Sequence, residues 1–109
     1  MKKLFLLFGL GALLTSANQV YAISKAVSMS NNIGVVIGKG MYCGFDTEEL
    51  TKRLQNVIQH YAVNQQDDAA ATKQFIQAAG MAAQVGPGAA GESCSQFRSS
   101  FNETNRMLR

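Results

Sequence analysis

Histidine occurs once in this 109-residue chain (His60), proline once (Pro87), and cysteine twice (Cys43 and Cys94). Those scarcities exclude much chemistry. A nucleophilic cysteine needs a neighbouring base, usually histidine. Here the lone histidine lies close to an apolar helical stripe, and an even pair of cysteines points to a covalent bond instead. Cys-x-x-Cys is absent, which leaves thiol–disulfide exchange of the thioredoxin type unsupported, and Cys-x-x-Cys-His is absent as a haem attachment. Structural zinc wants four clustered nitrogen or sulfur ligands, more than this chain supplies. A non-covalent haem between His60 and a methionine such as Met81 is conceivable in a helical bundle, but methionine there ordinarily fills gaps. The expectation is no metal, no cofactor and no catalytic residue.

Long apolar runs are equally scarce. Leu4 to Leu14 is an uncharged apolar stretch, shorter than the roughly 20 residues a membrane-spanning helix needs, and no stop-transfer segment follows it. Met1-Lys2-Lys3 precedes it, and a polar stretch from Thr15 to Gln19 leads to Val20-Tyr21-Ala22. This is the layout of a secretory signal peptide cleaved after Ala22. Cleavage after Ala17 is a second option with a poorer residue, Thr15, two positions earlier, and an uncleaved anchor helix is the third reading. The chain is therefore expected to divide into a cleaved leader, 1–22, and a single domain, 23–109. The short basic start suits bacterial export, so the expected location is the periplasm or beyond, within or outside the bacterial envelope.

Excess charge is also missing once the leader is set aside. The net charge of +3 includes Lys2 and Lys3; without them, eight basic residues face seven acidic ones, a net of +1. The remaining cations are scattered, and no basic stripe interleaved with aromatics appears, so nucleic acid is not an expected partner. Gly38-Lys39-Gly40-Met41-Tyr42-Cys43-Gly44 lacks the Gly-Lys-Ser/Thr ending of a phosphate loop and follows no clear strand. Asp46, Glu48 and Glu49 sit where carboxylates cap a helix and complement its dipole, which is a commoner role for them than that of a glycosidase pair.

What the chain does contain is helical. Ala26, Ser30, Ile33 and Ile37 recur at helical spacing between Ser24 and Tyr42, although Gly34 and Gly38 weaken that segment locally. It reads as one helix packed closely through small residues, or as two short helices with a break; Ile33 to Ile37 could also form a buried strand. Asp46 to Glu49 resembles a capping box, opening a helix with the stripe Leu50, Leu54, Val57, Ile58 and Tyr61. A third helix starts at Asp67 or Asp68 and carries Ala71, Phe75, Ala78, Ala82 and Val85 on one face, ending at Gly86-Pro87-Gly88. A fourth starts near Ser93, with Gln96 as capping partner and Cys94, Phe97, Phe101 and Leu108 on one face.

The expected fold is all-α, a small bundle of three to four helices stapled by Cys43–Cys94. The two cysteines stand 51 positions apart, and closing so long a loop is worth roughly 4 kcal/mol at most in the chain-entropy account. In size and cysteine placement the chain resembles the HdeA acid-stress chaperones, small periplasmic helical proteins with one long-range disulfide. The residues themselves point to a non-enzymatic binding or accessory protein that works through protein contacts: a small chaperone, an inhibitor or immunity protein, or a secretion-system accessory. Gly34, Gly38, Met41, Tyr42 and Phe45 are the candidate partner contacts, since aromatic anchors beside a staple suit an interface. The alternatives are a structural envelope component that self-assembles as a homo-oligomer through the glycine face, and a secreted enzyme using His60 or the Asp46, Glu48 and Glu49 carboxylates.

Overall fold

The computed structural model describes residues 24–109; the leader expected over 1–22 lies outside them. Four helices make up the described chain: α1 (Lys25–Tyr42), α2 (Glu48–Tyr61), α3 (Gln65–Val85) and α4 (Cys94–Met107). A 3-10 turn, Pro87–Ala90, joins α3 to α4. No strand occurs among the described residues, so Ile33 to Ile37 is helix, and α1 runs unbroken through Gly34, Gly38 and Gly40.

The continuity of α1 comes from packing rather than propensity. Ala26, Ser30, Gly34 and Gly38 stand four apart, and all are buried. Residues at that spacing share one face, so α1 offers a ridge with almost no side chain. The seam with α3 is built on it. A Cβ added to Gly34 would lie 3.1 Å from the Phe75 carbonyl oxygen, and one added to Gly38 only 2.3 Å from that of Ala79. Gly34 thus sits beside Phe75 and Ala78, Gly38 beside Ala79 and Ala82, and Tyr42 over Gly86. The register advances in the same direction on both helices, so α1 and α3 are parallel, with α2 as the return between them.

On one side of this pair α2 contributes Leu50, Leu54 and Ile58, which meet Ile33 and Ile37 in the core. Burying each such side chain is worth about 1.5–3 kcal/mol. Phe97 and Phe101 of α4 complete that core, and Phe101 closes against Gly40. Arg53 of α2 donates to the backbone carbonyl and side-chain oxygen of Asn105, which ties α2 to the far end of α4.

The helix ends differ from expectation in two places. Thr47, not Asp46, occupies the cap of α2, and the Asp46 carboxylate instead accepts from the Glu48 N–H at 3.1 Å. Glu49 does not close a capping box; it pairs with Arg53 one turn on. Helix α3 starts at Gln65, ahead of Asp67. The Asn64 side chain accepts from the Asp67 N–H at 2.8 Å, while the Asp67 carboxylate accepts from the Val63 N–H at 3.0 Å. This reciprocal pair satisfies two free donors at once and draws the helix into what reads as a connecting loop. The expected box at α4 does form: Ser93 Oγ accepts from the Gln96 N–H and Gln96 Oε1 from the Ser93 N–H.

Candidate functional site

The disulfide organises one end of the molecule. Cys43 caps α1 and Cys94 begins α4, and their sulfurs are bonded with the Cα atoms 5.6 Å apart. The bond therefore brackets α2 and α3, as the spacing implies. Phe45 lies beside it, its ring 5.2 Å from Phe101 and 6.2 Å from Phe97, centre to centre. The Arg98 guanidinium covers the outer side of Phe45 at 4.3 Å, a cation–π arrangement. Phe45 is thus half-buried in an aromatic seal around the staple rather than a free contact.

The other candidate contacts separate. Gly34 and Gly38 lie beneath α3, which covers the surface that self-assembly through the glycine face would need. This corrects their assignment as partner contacts: two backbones do approach closely there, but both belong to one chain. Met41 and Tyr42 remain 53 % and 55 % exposed. The Tyr42 ring rests on Gly86, whose φ of +66° and lack of a Cβ make room for it.

The catalytic alternatives are not brought together. Glu48 faces Lys52 at 3.6 Å, Glu49 is paired with Arg53, and the Asp46 carboxylate accepts from the Glu48 N–H. His60 lies exposed in the last turn of the same helix, its ring edge-on to Tyr61, about 18 Å along the axis from Glu48. Among the described residues no group of three or more His, Cys, Asp or Glu side chains could hold a metal ion. No described helix is long and apolar enough to cross a membrane.

The side of the α1–α3 pair away from α2 holds a largely apolar depression. It has a volume of about 460 Å³. Ala78 and Ala82 form its floor, Val35 and Lys39 the α1 wall, Met81 and Val85 the α3 wall, and Ala89 of the 3-10 turn its end. Met81 is 71 % and Val85 56 % exposed. At the opposite end Gln74 donates to Asn31 across the helices at 2.8 Å. Lys39 is the only ionisable residue in the lining. Its ammonium sits 5.7 Å from the centre of the Phe97 ring, and among the described residues no carboxylate pairs with it.

Spacing places Val85 on one face with Ala78 and Ala82, but in the structure those two are buried and Val85 is exposed. The alanine seam turns toward α1 at Gly86, which leaves Val85 on the groove wall. Met81 goes unmarked as a contact by sequence reasoning. The available signal is an apolar pair, Met81 and Val85, one turn apart and one position off the alanine row. No family model matches the chain, and no similar protein is found among curated proteins or solved structures.

Proposed function

We propose that this is an exported, non-enzymatic binding or accessory protein that works through protein–protein contacts in the periplasm or outside the cell. The observation that carries the reading is the groove walled by Met81 and Val85, large apolar side chains left exposed beside the half-buried Val35 around a concave alanine floor. Contiguous apolar patches rimmed by polar residues mark interaction sites, and here Asn31, Gln74 and Gln77 supply the rim. Export is supported by the leader pattern of residues 1–22 and fits an intact disulfide, since such bonds persist in oxidising compartments.

Photo-crosslinking in intact host cells tests this. A photoreactive residue at Met81 or Val85 is expected to give a discrete adduct with another protein, and one at Gln55, on the exposed face of α2, none. Equal labelling at all three positions, or no adduct in the groove, overturns the reading.

A further inference from the structure

We infer that the groove takes an acidic amphipathic helix from a different protein, with its carboxylate on Lys39. This rests on the reading of the groove as the binding site and adds the class of partner. Three observations carry it.

The first is shape. The groove runs between two parallel helices, from Gln74 to Val85 on α3, which is about 16 Å or three helical turns. Its floor is made of alanines one turn apart, so a third helix can approach closely. The surrounding backbone is helical, with no strand edge to which an extended peptide could add. Docking an amphipathic helix through anchors at i, i+3/i+4 and i+7 is the recognition mode this geometry admits.

The second is charge. Lys39 is the one ionisable group in the lining, it is half-buried, and no described carboxylate pairs with it. Asn31, Gln74 and Gln77 are neutral. An apolar wall with a single cation at one end, over the Phe97 ring but without a carboxylate partner, selects an apolar stripe with an anion at the matching position, and disfavours a cation there.

The third is the chain's own surface. A second copy has no described element of that description to offer. Of its exposed apolar residues outside the groove, Met41 and Tyr42 end α1, which carries no acidic residue, Val63 lies in a turn, Ile76 has no carboxylate one turn away, and Glu103, one turn before Met107, is already held by Arg106.

The test is selection of displayed helical peptides of about 14 residues, some 21 Å of helix, on the oxidised protein and on Lys39→Glu and Met81→Asp variants whose thermal melts match the parent. Peptides selected on the parent are expected to combine an apolar i, i+3/i+4, i+7 stripe with Asp or Glu at one recurrent position. Selection on Lys39→Glu is expected to replace that acid by Lys or Arg. Parent-selected peptides are expected to bind Lys39→Glu about tenfold or more weakly, and Met81→Asp no longer detectably. Enrichment with no charge preference, or with the same preference on Lys39→Glu, overturns the acidic partner and leaves the groove reading standing. Loss of enrichment on every form, or enrichment insensitive to Met81→Asp, overturns the groove itself. Self-association of the parent that Met81→Asp abolishes overturns the heterologous partner in favour of a second copy.

Discussion

Residue size decides the α1–α3 contact more than residue polarity. Ser30 is fully buried and its Oγ has no hydrogen-bond partner among the described residues. Its place in the Ala26–Gly38 row shows that the seam uses its small volume. Gly38 is the tightest point, with Ala79 O and Ala82 Cβ both inside 3 Å of any added Cβ. Gly80, on the outer side of α3, meets nothing within 4 Å. The same substitution should therefore have opposite signs at the two glycines. Gly38→Ala is expected to destabilise by about 1–3 kcal/mol through overpacking, whereas Gly80→Ala should stabilise by up to about 1 kcal/mol through helix propensity. Ser30→Ala should be neutral or stabilising, because it removes an unsatisfied hydroxyl. Urea titration of the three variants checks the order.

The ends of the elements are where local sequence and structure agree unevenly. Ser93 and Gln96 are separated by the spacing of a capping box, and both of its hydrogen bonds form. Asp46 and Glu49 have the same spacing, but the chain enters α2 one residue later and Arg53 takes Glu49. At α3 the cap is Asn64, which lies in a polar run that resembles a loop until Asp67 is seen to reach back. Ser93→Ala is expected to cost about 1 kcal/mol and to speed amide exchange in the first turn of α4. Thr47→Ala, which removes no side-chain cap bond, should change stability far less. Comparing hydrogen exchange in the two variants tests whether the box, rather than the cap position, supplies the stability.

At the scale of the whole molecule, the Cys43–Cys94 bond ties the end of α1 to the start of α4 across the two intervening helices. A chain this size buries a modest core, here rich in alanine, so the staple carries a large share of the stability. Cys43→Ser with Cys94→Ser, or reduction of the parent, is expected to remove about 2–5 kcal/mol. For a domain of this length that lowers the melting temperature by roughly 10 °C or more. An unchanged calorimetric melt would mean that the bundle stands without the bond.

Much of the fold was legible because its signals are local. The stripe Leu50, Leu54, Ile58, the stop at Gly86-Pro87-Gly88, the Ser93 box and the pairing of two lone cysteines each follow from spacing along one segment. The groove was not legible, and neither was the fate of the glycine face. Whether Gly34 and Gly38 meet a second copy or a helix of the same chain depends on how α3 is set against α1, as does the side on which Val85 falls. An amphipathic pattern states that a face will be covered; it carries no information about which neighbour covers it. The residues alone determined four helices and one covalent clamp. Only tertiary packing decided that the glycines would be buried inside and that Met81 and Val85 would stay outside, because parallel packing of α1 on α3 uses up the small-residue ridge and leaves the adjacent row without a partner.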